Sequence, residues 1–179
     1  MNIHAASSTY GELIEPATLK IQRVLPGPIE RVWDYLTDSE LRRKWLAAGD
    51  MDVKAGAPFE LVWKNDELTD PPGNKPDGFG SEHRMQSKII EADPPQKLAF
   101  EWQGGGDVTF TLESRADNRV LLTVVHRRLR DRNTMLMVGA GWHAHLDVLA
   151  AAMNGTKGSE PFWDHWSRLK QDYDRRLPA

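Results

Sequence analysis

Histidine holds whatever acid–base chemistry this chain can carry. His83 and His126 fall in stretches that alternate apolar and polar residues, while His143 and His145 fall in a helical stretch. Imidazole exchanges a proton near neutral pH and is a common metal ligand, so histidines converging in a cleft would serve either role. His143 and Asp147 stand four apart, and on a helix that carboxylate could orient the ring. The same spacing occurs freely on solvated helix faces. His143 and His145 are two apart and must point in different directions, so one of them at most faces an underlying sheet. Trp142 and Leu146 favour His145 for that role. The histidine spacings match no known ligand pattern, and GxSxG, HExxH and phosphate-loop motifs are absent from the sequence. No metal and no cofactor are therefore expected, and the reading leans away from an enzyme.

The element that must position these groups is the stretch 134–155. Met135, Val138, Trp142, Leu146, Leu149 and Met153 recur at steps of three and four, which stacks them on one helical face. Asn154 and Gly155 supply a helix stop. Gly139 and Gly141 weaken the rod, so a close neighbour, expected to be a strand, must need the space. Upstream, residues 18–25 alternate as a strand. Residues 29–37 and 39–47 carry helical spacing, with Pro28 at the first turn and Asp38 or Ser39 as a cap. Residues 64–79 are rich in Pro, Gly and Asp and read as a long loop, a candidate lid. Around that loop, alternation at 59–63, 80–90, 97–102, 108–114 and 120–129 predicts antiparallel strands with one covered face.

Composition narrows the function. A chain of 179 residues with 40% hydrophobic residues fits one core. The net charge of −3 and the lack of a basic run exclude a nucleic-acid partner. No cysteine is present, so thiol chemistry is excluded. Residues 1–9 read as a loose terminus without a signal peptide, and no run is long enough to span a membrane, so a soluble cytoplasmic protein is expected. Seven tryptophans suggest aromatic walls.

The order of elements resembles the START-like helix-grip superfamily, also called SRPBCC. The carriers are residues 25–47 (LPGPIERVWDYLTDSELRRKWLA), 93–102 (DPPQKLAFEW) and 141–155 (GWHAHLDVLAAAMNG). More narrowly, they are similar to bacterial homologues of the activator of heat-shock-protein-ninety ATPase. The resemblance implies an α+β fold whose curved antiparallel sheet grips the C-terminal helix around an apolar cavity. It carries no family-wide catalytic set. The eukaryotic activator has a large additional N-terminal domain, and here about seventeen residues precede the first strand, so a chaperone-activating role is not the first expectation.

Strand parity and helix phase send Trp63, His83, Met85, Phe100, Trp102, Phe110, Trp142, His145 and Leu149 toward one interior, as core filling or as a pocket wall. The expected function is binding of a small, largely apolar molecule. The alternatives are an enzyme using His83 or His145 and a protein–protein adaptor or stress-response factor. The expected layout is an extension at 1–16, the helix-grip domain at 17–155 and an amphipathic helical extension at 156–179. In the last, Phe162, Trp166, Leu169 and Tyr173 form a stripe, capped by Ser159 with Glu160 and Asp164 in the first turn. That stripe either packs on its own domain or offers a homodimer face through residues 159–173.

Overall fold

Alternation builds a seven-stranded antiparallel sheet in the computed structural model, which describes residues 9–156 and 160–178. The strands are β1 (Glu12–Glu15), β2 (Thr18–Pro26), β3 (Pro58–Trp63), β4 (His83–Asp93), β5 (Lys97–Trp102), β6 (Gly106–Arg115) and β7 (Arg119–Arg127). Their order across the sheet is β1-β2-β7-β6-β5-β4-β3. Two helices, α1 (Ile29–Thr37) and the single turn α2 (Ser39–Arg42), follow β2. After β7 come α3 (Arg132–Met153) and α4 (Phe162–Arg176). This is the α+β helix-grip arrangement expected from the sequence. Residues 1–8, where a loose terminus was expected, and Ser159, the expected cap, lie outside the described residues.

Register explains the inner face. Phe100 opposes Val108, Leu98 opposes Phe110, and Phe110 and Leu112 oppose Val124 and Leu122. Directly opposed residues share a face, and all seven of these side chains are buried. α3 lays Trp142, Leu146, Leu149 and Met153 into the same core. The single turn α2 is shorter than expected for residues 39–47. Its Arg42 is buried and donates to the carbonyls of Leu36, Thr37, Ala47 and Gly49. Those bonds wrap residues 43–47 into a loop. Trp45 is fully buried there, its indole N–H donating to the Tyr35 carbonyl at 2.8 Å.

Strand β1 was not foreseen, and α3 starts before residue 134 because the Asp131 carboxylate accepts the Thr134 N–H at 2.8 Å. Gly155, at φ +69°, follows the last turn as the sequence predicts. The larger difference is that α3 is buried on two sides. Leu136, Gly139, Ala140, His143 and Ala144 face α4, which covers them with Phe162, Trp166, Leu169 and Tyr173. The stripe on α4 is thus spent on its own chain. What lies close to Gly139 is Tyr173, not a strand: a Cβ built there would meet the ring at 3.2 Å. A Cβ on Gly141 would meet only Trp166 Nε1, at 4.0 Å.

These two glycines should separate under mutation. Tyr173 is fully buried and held at its hydroxyl, so its ring cannot retreat. Gly139→Ala should therefore destabilise the fold by about 1–3 kcal/mol despite its better helix propensity. Gly141→Ala should be neutral or stabilise by up to about 1 kcal/mol. Denaturant unfolding decides, and equal effects at both sites would refute the packing of α4 on α3.

Candidate functional site: an aromatic cavity beside helix α3

The last residues of β3 and β5 are tryptophans, and both point past the sheet's end toward α3. Trp63 and Trp102 have ring centroids 5.7 Å apart, and Trp102 and Trp142 5.8 Å. Between them and α3 lies a cavity of about 470 Å³. Its walls are Leu46, Trp63, Trp102, Trp142 and Trp163, with Met137, Val138, Gly141 and His145 from α3 and Asn65 from the loop after β3. Residues 78–83, including Phe79, Glu82 and His83, form the rim.

Of the nine residues expected at the site, Trp63, His83, Trp102, Trp142 and His145 line this cavity. Met85, Phe100, Phe110 and Leu149 are buried in the adjoining core. They support the wall from behind: Phe100 lies 6.3 Å from Trp102 and Phe110 meets Trp142 edge-on at 5.7 Å. Asn65, Phe79, Met137 and Trp163 were missed. Asn65 and Phe79 lie in a loop that obeys no strand parity, Trp163 is on α4, and Met137 is on α3 one position before Val138 of the stripe read there.

The loop at 64–79 is tied down by α4. The Trp163 indole N–H donates to Asp66 at 2.8 Å, and the Phe162 N–H donates to the Thr69 hydroxyl at 2.8 Å. Phe79 packs on Trp163 and Trp166 at 5.0 and 5.3 Å. The hydrogen bond from Lys75, and then that from Trp163, hold the Asp66 carboxyl below its usual range. The loop therefore forms a fixed wall of the cavity mouth.

Polarity inside the cavity is confined to one end. His145 Nδ1 lies 2.6 Å from the Gly141 carbonyl and Nε2 lies 3.0 Å from the Asn65 carboxamide. Burial pushes this imidazole down to about 4, against the opposing pull of the Gly141 carbonyl. The Asn65 atom at that contact is its Oδ1, so both ring nitrogens face oxygens; the neutral ring donates from Nδ1 to Gly141, and turning the Asn65 amide by 180° places its NH2 against Nε2. Both nitrogens are thereby engaged. Deeper, the Trp142 indole N–H donates to His126 Nδ1 at 3.0 Å.

On the far side of α3, the expected i, i+4 pair of His143 and Asp147 is present, with Nε2 and Oδ2 3.5 Å apart. It lies beneath α4, not on a solvated face. Arg23 of β2 and His165 of α4 complete this cluster, at 2.9 and 2.7 Å from the Asp147 carboxylate. Burial raises the Asp147 carboxyl, but the His165 hydrogen bond and the Arg23 charge outweigh it and leave it below the usual range.

A family model described as activator of Hsp90 ATPase homolog 1-like protein matches residues 26–154. The chain belongs to that family. All nine expected residues fall inside the matched span, whereas Trp163 and His165 of α4 lie beyond it. A Bordetella parapertussis protein encoded by gene BPP1335, solved in solution, is 35% identical over 99% of this chain and 97% of that one, with a TM-score of 0.77. CalU16 from Micromonospora echinospora is 19% identical over 88% and 86%, with a TM-score of 0.63. DynU16, described as a putative protein in the dynemicin biosynthetic locus, is 19% identical over 82% of this chain and 51% of that one, at 0.64. These two share the fold of the activator homolog 1-like family. No curated protein matches the chain. Among the described residues, no helix is long and apolar enough to cross a membrane.

The buried His126 gives the aromatic wall a measurable pH dependence. Burial holds its pKa at about 4 against an ordinary value of 6.5, and the rings packed on it, Trp102 and Trp142, carry no charge. The unfolded chain binds the extra proton between those values. This contribution to stability is therefore complete above pH 6.5 and falls as pH drops toward 4, by about 3 kcal/mol in total. His126→Asn keeps an acceptor for the Trp142 N–H and should flatten the slope of stability against pH by one proton. Chemical unfolding across pH 4–7 checks this, and an unchanged slope would show that His126 does not titrate in that way.

Proposed function

We propose that this protein binds a small, largely apolar, ring-containing molecule in the cavity between the sheet, α3 and the loop at 64–83. The observation that carries the reading is the wall itself: four of the seven tryptophans converge on about 470 Å³. Ligand sites of this size are mostly apolar with a few placed polar groups. Here those groups are His145 and Asn65 at the inner end and Glu82 and His83 at the rim. Flat rings stack on tryptophan at low entropic cost, which favours an aromatic or polycyclic ligand over a flexible chain. CalU16 and DynU16 add support at the level of the fold only.

The enzyme alternative would need a free base against the ligand. Both nitrogens of His145 are already engaged, which leaves His83 at the exposed rim and favours binding without turnover. The adaptor alternative rested on the stripe at 159–173, and the side chains of that stripe are turned into α3.

An apolar, environment-sensitive fluorophore should bind saturably with a dissociation constant near 1 µM, about −8 kcal/mol, and should quench tryptophan emission. Val138→Trp fills the cavity from α3 and should abolish binding while leaving the unfolding midpoint nearly unchanged. Unimpaired binding to Val138→Trp would move the ligand elsewhere. Loss of folding in that variant, with no dye bound by the wild type, would mean the interior is solid.

A further inference from the structure

Beneath α4, three potential ligand atoms converge away from the aromatic cavity. One ligand atom from each of His143, Asp147 and His165 lies within 4.8 Å of the other two, and the Nε2 atoms of His143 and His165 are 3.5 and 2.7 Å from Asp147 Oδ2. The far atom of each group is held by a separate partner. His143 Nδ1 is 3.0 Å from the Tyr173 hydroxyl, which also accepts the Gly11 N–H at 2.7 Å. Asp147 Oδ1 accepts from Arg23 Nη2 at 2.9 Å and Nε at 3.3 Å. His165 Nδ1 is 3.3 Å from Glu160 Oε1 and 2.8 Å from Arg168 Nη2. Metal-binding histidines have this arrangement: one nitrogen faces the ion and the other is fixed by a hydroxyl, carbonyl or carboxylate.

Hydrogen bonding alone accounts for only part of the geometry. His165 Nε2 is bonded to Asp147 Oδ2 at 2.7 Å. His143 Nε2 is aimed at the same oxygen from 3.5 Å, longer than an ordinary hydrogen bond. A tetrahedral ion with bonds of about 2.0–2.1 Å needs ligand atoms about 3.3 Å apart. The His143–Asp147 pair already has that separation, and His165 reaches it by backing away about half an ångström.

We propose that His143, Asp147 and His165 form a binding site for one divalent cation of the zinc class. Two imidazoles and one carboxylate are a donor set such an ion takes, leaving one position for water. Asp147 and His165 line a groove together with Thr69, Glu160 and Arg168, through which water can reach the ion. No proton is released if His143 binds as the tautomer with its hydrogen on Nδ1, toward the Tyr173 hydroxyl, and His165 changes tautomer. The hydrogen between His165 Nε2 and Asp147 Oδ2 is given up as the ring takes one at Nδ1, where Glu160 accepts it. Arg168 Nη2 then leaves that nitrogen, while its Nη1 stays on Glu160. The ion would staple α4 to α3, since His165 is on one and His143 and Asp147 are on the other.

The test is calorimetric titration of Zn²⁺ into tag-free, chelator-treated full-length protein. One ion should bind per chain at micromolar affinity or better, and His165→Gln should weaken binding at least 100-fold. Tyr173→Phe, which removes only the orienting hydroxyl, should cost about 10-fold. Because a variant of this cluster can fail to fold, histidine imidazole resonances of the wild type are followed in parallel. Those of His143 and His165 should shift on adding Zn²⁺ while those of His83 and His126 stay in place. The proposal is overturned if no ion binds, or if one binds and the His143 and His165 resonances do not move.

Discussion

A helix covered on both sides is the constraint on which the rest of this structure depends. α3 presents Trp142, Leu146 and Leu149 to the sheet and Leu136, Ala140 and Ala144 to α4, and all six are buried. Such a helix cannot send its polar side chains to water, and an unpaired buried polar group costs a few kcal/mol. Each must therefore find a partner from a neighbouring element. His145 takes Asn65, which brings in the loop after β3. His143 takes Tyr173 and Asp147 takes Arg23, which dock α4 and β2. Burial also pushes Tyr173 up to about 12, so its hydroxyl stays a neutral partner at any physiological pH. No buried side-chain nitrogen or oxygen among the described residues lacks a partner.

The cavity follows from the same constraint. Gly141 leaves one stretch of α3 without a side chain just where Trp63 and Trp102 run past the ends of their strands. The rings lean together across the gap, and residues 78–83 close its rim. The span matched by the activator of Hsp90 ATPase homolog 1-like family takes in β3 to β7 and α3, whereas β1 and all of β2 but Pro26 precede it. Trp163, which closes the cavity, and His165, which completes the polar cluster, both come from α4 outside that span.

How much of this was legible in the sequence depended on whether one pattern had one cause. Strand parity placed Leu98, Phe100, Val108 and Phe110 because the large apolar side chains of those strands lie on one face, although Ala99 on the other face of β5 is buried too. It missed β1, where Leu13 is half-buried and Glu12, Ile14 and Glu15 are exposed or nearly so. The helical stripe on α3 was read once when two stripes exist. The second is built from Leu136, Gly139, Ala140 and Ala144; Gly139 read as a weak point needing a close neighbour, and small residues are what close helix packing requires. The stripe on α4 was legible as a buried face, but a periodic pattern never names the surface that buries it. For that reason His143 was turned away from the sheet with nothing named to meet it, and the histidine of α4 that does so was not singled out at all.

Four tryptophans from separate elements, if they wall one ligand-accepting cavity, must respond together to a ligand placed in it. Two-dimensional NMR of the indole N–H groups, during titration with a small apolar aromatic compound, tests it most directly. Saturable shifts with a common midpoint are expected in Trp63, Trp102, Trp142 and Trp163, while Trp33 and Trp45 in the core stay in place. Shifts spread over all seven indoles, or confined to a tryptophan outside the cavity, would contradict a shared wall.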